Sequence, residues 1–161
     1  MEFLARRLPL LLAVTAALAL PSILSAQRER LPFDDVPIVE RRWPNAKKTS
    51  TSIRYVVNDP GDEKGPTPQP GMYIEALYKG MLLNGKIFDE VRDPKRPLKM
   101  RLGRHMLIEG WEQILPMMHR GSKWTIIVPA ELAYGSRGRP PDIPSEATLV
   151  FELELLNFGP N

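Results

Sequence analysis

The chain has 161 residues, enough for one packed core, and we expect a single domain. Its 17 prolines are about twice the usual share, which favours short segments joined by turns over long helices. It has no cysteine and only two histidines, which argues against disulfides, thiol nucleophiles and thiolate or multi-histidine metal sites. The net charge of +3 forms no dense basic stripe, so nucleic-acid binding is not expected.

The N-terminus has the layout of a signal peptide. Arg6 and Arg7 precede the apolar run Leu8–Leu20, which a proline and small residues follow. This run is shorter than the roughly 20 residues that a helix needs to cross a bilayer. We predict a signal peptide at 1–26, cleaved after Ala26, and a periplasmic or secreted protein with no stable membrane span after cleavage. The alternative is an uncleaved N-terminal anchor.

The next segment, residues 27–50, mixes both charges with prolines and shows neither helical nor strand periodicity. We interpret it as a flexible N-terminal arm that precedes a domain at 51–161. We expect Trp43, a single aromatic residue in such a segment, to be loosely packed.

Alternating apolar and polar residues predict an antiparallel sheet with one buried face. The pair Asn84-Gly85 predicts a tight hairpin turn within it, because both residues tolerate positive φ. The predicted strands are Ile53–Val57, Met72–Tyr78, Met81–Leu83, Lys86–Phe88, Leu98–Leu102, Lys123–Val128 and Leu149–Leu156.

Apolar spacing of three and four residues predicts one helix. The residues with this spacing are Ile108, Trp111, Leu115 and Met118. Pro116 removes a hydrogen bond near the end of the helix, so we expect a kinked or tightened last turn. The predicted fold class is α+β: a curved antiparallel sheet wrapped on one short helix, with a long loop at 129–145.

Ordinary catalytic machinery is missing from the sequence, which has no nucleophile elbow, no phosphate-binding glycine loop and no metal-ligand spacing. His105 and His119 lie in polar stretches and are expected to be exposed, which leaves no serine–histidine–aspartate triad. We expect no cofactor and no metal. A set of aromatic residues and one acid remains, which composition alone would assign to the core: Tyr78, Phe88, Asp89, Trp111, Tyr134 and Phe151.

Five motifs follow one another in the chain: Tyr78–Asp89, Ile108–Trp111, Leu132–Gly135, Ile143-Pro144 and Ala147–Leu156. In type and order they resemble the FK506-binding-protein (FKBP) family of peptidyl-prolyl cis-trans isomerases. The resemblance covers about residues 51 to 157. It implies a half-barrel of about five antiparallel strands around a short helix, with an apolar active-site pocket between them.

The same resemblance implies roles for ten residues. The catalytic residues would be Asp89, Tyr134, Phe88 and Trp111, and the substrate-binding residues would be Tyr78, Leu98, Leu107, Ile108, Ile143 and Phe151. The Tyr134 hydroxyl and the Ile108 backbone N–H would donate hydrogen bonds to carbonyls of a substrate or macrolide. Leu98, Arg139 and Asp142 depart from the residues common in the family, which bears on macrolide affinity more than on catalysis.

Together, the resemblance and the leader predict a monomeric peptidyl-prolyl isomerase that acts on proline-containing polypeptides during folding of exported proteins. FK506- or rapamycin-like macrolides would be further ligands. One alternative is a non-catalytic FKBP-like binding module or holding chaperone that uses the same pocket. Another is an all-β module that binds a small apolar ligand.

Overall fold

An antiparallel sheet of seven strands curves around a short helix in the computed structural model, which describes residues 28–160. The helices are α1 (Asp35–Arg42) and α2 (Glu109–Ile114). The strands are β1 (Lys47–Lys48), β2 (Arg54–Asp59), β3 (Tyr73–Leu82), β4 (Ile87–Val91), β5 (Leu98–Arg101), β6 (Lys123–Val128) and β7 (Leu149–Gly159). The predicted α+β class is confirmed. The described residues contain seven strands instead of about five and two α-helices instead of one.

The central strand of the sheet is β3. Along one side it pairs with β7 over its whole length, and along the other side it pairs with β4 and β5. The separate strands predicted at 72–78 and 81–83 are therefore one strand, because β7 supplies partners across the gap between them. The predicted hairpin turn after β3 is confirmed: Lys86 O accepts a hydrogen bond from Leu82 N at 2.9 Å, and Gly85 has φ +90°.

The main core lies between the concave face of this sheet and α2. Inward positions on β3, β6 and β7 alternate with outward ones, as the side-chain period of two requires. Trp111 and Ile114 on α2 are buried against these strands. The helix then tightens into a 3-10 turn at Leu115–Met117, which confirms the effect predicted for Pro116.

The described part of the arm, residues 28–50, contains helix α1 and strand β1, so the prediction that it has neither helix nor strand is wrong. Helix α1 packs on the outer face of the sheet, where Leu31 and Val39 are buried against Ile127 and Val150. Burying an aliphatic side chain contributes about 1.5 to 3 kcal/mol. Tertiary packing therefore stabilises a helix too short to produce a visible periodicity.

Trp43 is half-buried within the same contact. The Arg42 guanidinium lies 5.1 Å from the centre of its ring, a distance that permits a cation–π interaction. The side chain that was expected to be loosely packed therefore contributes to the docking of the arm.

The two histidines have different environments. His105 is exposed, as expected, and has a φ of +53°. His119 is half-buried rather than exposed, so the expectation of exposure is wrong for it. Its Nδ1 lies 3.1 Å from the Gly65 carbonyl oxygen. The residues that precede β3 form a loop that covers this ring.

The predicted signal peptide lies outside the described residues. Between Arg28 and Pro160, no helix is long and apolar enough to cross a membrane. The same range contains no group of three or more histidine or carboxylate side chains that could hold a metal ion.

An ion cluster fixes the start of the arm to the sheet. Glu29 Oε2 accepts hydrogen bonds from Arg54 Nη2 at 2.7 Å and from Lys48 Nζ at 2.8 Å. Burial raises the pKa of Glu29, but hydrogen bonds from Lys48, Arg54 and the Leu31 backbone outweigh it and lower the pKa from 4.5 to about 2. Arg54 is buried, and this carboxylate is the partner that balances its charge.

The lowered pKa predicts how stability depends on pH. A depressed pKa in the folded state means that Glu29 contributes full stability above its ordinary pKa of 4.5, and the contribution is lost as pH falls towards about 2. We expect Glu29→Gln to lower the melting temperature at pH 6 and to lose this effect between pH 4.5 and 2. Thermal unfolding followed by circular dichroism measures the difference. An equal gap between variant and wild type at pH 6 and pH 2.5 would contradict the assignment.

Candidate functional site

A pocket of about 580 Å³ lies between the concave face of the sheet, the start of α2 and the loop after β6. Two other concavities have similar volumes, of about 550 and 570 Å³, and the first also includes Tyr78, so volume alone does not distinguish this pocket. The lining of the pocket distinguishes it, because aromatic and aliphatic side chains lie there together with a few polar groups. The lining residues are Tyr78, Phe88, Asp89, Leu98, Met100, His105, Met106, Leu107, Ile108, Glu109, Trp111, Ala133, Tyr134, Arg139 and Phe151.

Nine of the ten residues that the resemblance implies line this pocket together. The exception is Ile143, which is almost fully buried in the main core and is not part of the lining. It pairs with Arg139 in a short antiparallel bridge within the long loop. Its place in the structure is therefore that of a core residue that fixes the loop.

Trp111 lies at the centre of an aromatic cluster. Its ring meets Tyr78 edge to face at 5.2 Å between centroids and Phe151 at 5.4 Å. Phe151 meets Phe88 in the same way at 5.8 Å. Such contacts add about 0.5 to 1.5 kcal/mol each beyond the burial of area, so the walls are rigid as well as apolar.

The buried indole N–H of Trp111 has no hydrogen-bond partner within residues 28–160. An unpaired buried donor is costly, by roughly 1 to 3 kcal/mol. A bound molecule with a carbonyl group could relieve that cost if it reached this N–H.

The polar groups of the pocket form a chain of contacts. Tyr78 Oη donates a hydrogen bond to Asp89 Oδ2 at 2.8 Å. Arg139 Nη2 lies 3.7 Å from the same Asp89 oxygen, and Arg139 Nη1 lies 3.5 Å from Tyr134 Oη. Burial and the Asp89 carboxylate both raise the pKa of Tyr78, so this phenol stays protonated at neutral pH.

Arg139 also constrains the direction in which Tyr134 can donate. A guanidinium has donors and no acceptor, so the Tyr134 oxygen accepts from Arg139 and its own proton must point elsewhere. The guanidinium carbon lies 5.5 Å from the centre of the Tyr134 ring. The Tyr134 O–H is thereby free to donate to a molecule in the pocket.

A glycine in β3 makes room for the two phenylalanine rings. Gly80 pairs with both Asp89 and Phe151 across its two neighbouring strands. A Cβ atom at Gly80 would lie 2.6 Å from Phe88 Cε2 and 3.0 Å from Phe151 Cε1. No side chain larger than hydrogen fits there without displacing a wall of the pocket.

Some lining residues were not among the predicted site residues. Met100 follows Leu98 at a spacing of two on β5, so strand alternation alone could have placed both on one face. His105 and Met106 lie in the turn that joins β5 to α2, where no periodic signal exists. Glu109 begins α2, and its side chain accepts a hydrogen bond from Gln113.

Comparison with known proteins agrees with this geometry. A family model described as FKBP-type peptidyl-prolyl cis-trans isomerase matches residues 65–156. FK506-binding protein 1 of Debaryomyces hansenii is 42 % identical over 92 residues, which are 57 % of this chain and 82 % of that protein. FK506-binding protein 4 of Dictyostelium discoideum is 34 % identical over 123 residues, which are 76 % of this chain and 33 % of that protein.

Among solved structures, FkpA from Escherichia coli is similar with a TM-score of 0.67 and 35 % sequence identity. The similarity covers 78 % of this chain and 59 % of the FkpA chain. The chain therefore belongs to the FKBP-type peptidyl-prolyl cis-trans isomerase family. It spans about a third of the length of the Dictyostelium relative.

The role of Gly80 leads to a prediction about the pocket. We expect Gly80→Ala to displace the Phe88 ring and to weaken binding of a proline-containing peptide several-fold, because the new Cβ overlaps the ring edge. Gly159→Ala is the matched control, since a Cβ at that strand position has no atom within 4 Å. Isothermal titration of both variants with one peptide measures the effect. Equal affinities for the two variants would refute this account of Gly80.

Proposed function

We propose that this protein accelerates cis-trans isomerisation of X-Pro bonds in polypeptides, with Tyr78, Phe88, Trp111 and Phe151 as the walls of its active site. The single observation that carries the proposal is the aromatic pocket that also contains Asp89 and Tyr134. Family membership supports the same activity.

The chemistry of the reaction fits a site without acid, base or metal catalysis. Rotation about an X-Pro bond breaks amide resonance against a barrier of about 18 to 20 kcal/mol, and no covalent bond is broken or formed. In the twisted state the carbonyl loses part of its dipole, so water stabilises that state less than the planar one. An apolar pocket therefore favours the twisted amide, and binding it more tightly than the planar amide is the catalysis.

The polar groups of the pocket position the chain around the proline. In this proposal the Tyr134 O–H and the Ile108 N–H donate to carbonyl oxygens of the substrate. Ile108 is the residue before α2, where backbone N–H groups have no acceptor within the helix. Asp89, held by Tyr78, provides a fixed negative charge beside the aromatic walls. Leu98 and Leu107 complete the apolar surface, while Ile143 supports the loop from the core.

Replacing the two polar residues tests the proposal. We expect Asp89→Leu to reduce kcat/KM for a proline-containing peptide about tenfold or more, and Tyr134→Phe by about threefold to tenfold, the loss of one hydrogen bond. A protease-coupled isomerisation assay measures both. Glu90→Leu and Tyr73→Phe are matched controls, because both side chains lie away from the pocket lining.

A wild-type chain that gives no acceleration would contradict the isomerase proposal. Suppression of aggregation that persists in Asp89→Leu and Tyr134→Phe would instead support a holding chaperone.

The relatives named FK506-binding proteins suggest a macrolide of that type as a second ligand. In the same assay, inhibition by FK506 is the expected result. Arg139 and Leu98 at the pocket are the residues expected to alter its affinity.

We also propose that the chain is exported and acts on exported polypeptides. The support is the charged and apolar layout of residues 1–26, followed by small residues up to Ala26. The expected mature N-terminus is Gln27 in the periplasm or outside the cell. N-terminal sequencing of the protein recovered from its native compartment tests this, and an N-terminus at Met1 would contradict cleavage.

A further inference from the structure

The arm packs directly behind a wall of the pocket. Val150 and Phe151 are consecutive residues on β7, and their side chains point to opposite faces of the sheet. Val150 is buried under the arm with Leu31 and Val39, whereas Phe151 lines the pocket. The wall of the pocket is thus one strand thick, with the arm on its other side.

The neighbouring strand repeats the arrangement. Met81 packs against the arm cluster, while the preceding residue, Gly80, faces Phe88 and Phe151. A shift of the arm that let β3 or β7 move would therefore change the space between the two phenylalanine rings. Close-packed interiors transmit such displacements because they contain few voids.

Three hydrogen bonds connect the arm to chain segments that carry pocket residues, and the longest is the exposed one from Arg30 Nη1 to Glu131 Oε2 at 3.4 Å. Asp35 Oδ2 accepts from Thr148 Oγ1 at 2.6 Å, and Thr148 is only 3 % exposed. Arg42 Nη1 donates to the Leu83 carbonyl at 2.9 Å. Leu83 lies at the start of the hairpin turn that leads into β4, the strand with Phe88 and Asp89.

Thr148 is the last residue of the long loop, which in the structure runs from 129 to 148 between β6 and β7 and includes Tyr134. Two stretches of this loop are joined close to Thr148, since Glu146 N donates to Gly135 O at 3.0 Å and Ser145 Oγ donates to Ser136 O at 2.7 Å. The hydrogen bond from Thr148 to the arm therefore also restrains the part of the loop next to Tyr134, through these two contacts.

We propose that the arm is a positioning element of the pocket. Its docking fixes β3, β7, the hairpin turn and the long loop relative to one another, and so sets the geometry that the substrate meets. The arm touches no residue of the pocket lining through Asp35, Arg42 or Val39, so it acts through the elements that it contacts. The activity readout of this proposal rests on the proposed isomerase function, whereas its spectroscopic readout does not.

Neighbouring residues of α1 provide a matched test in the full chain. Val39 is 1 % exposed and docked, and Ile38 is 44 % exposed on the free side of the helix. We expect Val39→Ala to raise KM and the peptide dissociation constant several-fold at a temperature where circular dichroism shows the variant fully folded. We expect Ile38→Ala to match the wild type.

A second pair of variants tests the hydrogen bond alone. Thr148→Val removes the donor to Asp35 and keeps the shape of the side chain, and Thr148→Ser keeps the hydroxyl. We expect amide resonances of Asp89 and Tyr134, which do not touch the arm, to shift in Thr148→Val and Val39→Ala but not in Thr148→Ser or Ile38→Ala.

The amide resonances of Asp89 and Tyr134 test the proposal even if the wild type has no isomerase activity, because they are measured without a substrate. Val39→Ala and Thr148→Val could each lower the melting temperature while Asp89 and Tyr134 keep their wild-type resonances. That result would overturn the proposal and leave the arm a stabilising element only.

Discussion

The antiparallel pairing of β3 with β7 runs from Tyr73 opposite Gly159 to Leu82 opposite Leu149, and the other elements are arranged around it. Because side chains alternate along a strand, the register from Ala76 to Leu82, beyond a bulge after Glu75, assigns these residues and their partners on β7 to one face or the other. Tyr78, Gly80 and Phe151 fall on the concave face with α2, and Val150 falls on the convex face with the arm. A slip of one residue would exchange the two sets.

The concave face has the properties that the proposed catalysis of amide rotation requires. Its rings are fixed by edge-to-face contacts, and its polar groups contact one another. Tyr78 directs its proton to Asp89, and Arg139 leaves the Tyr134 proton free. Such preorganisation matters because the site gains only from interactions that strengthen in the twisted state.

Much of the fold and of the site could be predicted from the sequence, because the residues concerned follow local rules. Period-two alternation located the strands, and Pro116 located the end of α2. The aromatic residues of the pocket were recognised through motif order, since composition cannot separate a pocket wall from a core. Ile143 shows that limit: it belongs to a motif of the pocket, but the fold of the long loop buries it in the core.

The helix of the arm could not be predicted from its own residues, because its stability comes from a surface formed by distant strands. Apolar runs in the sequence of those strands nevertheless indicate that this surface is covered. Ile126-Ile127-Val128 and Leu149-Val150-Phe151 are unbroken apolar runs, whereas a strand with one solvated face should alternate. Both faces of β6 and β7 must therefore be covered at this end of the sheet. The matched family region begins only at residue 65, so the preceding chain, which carries Leu31 and Val39, provides a cover that lies outside it.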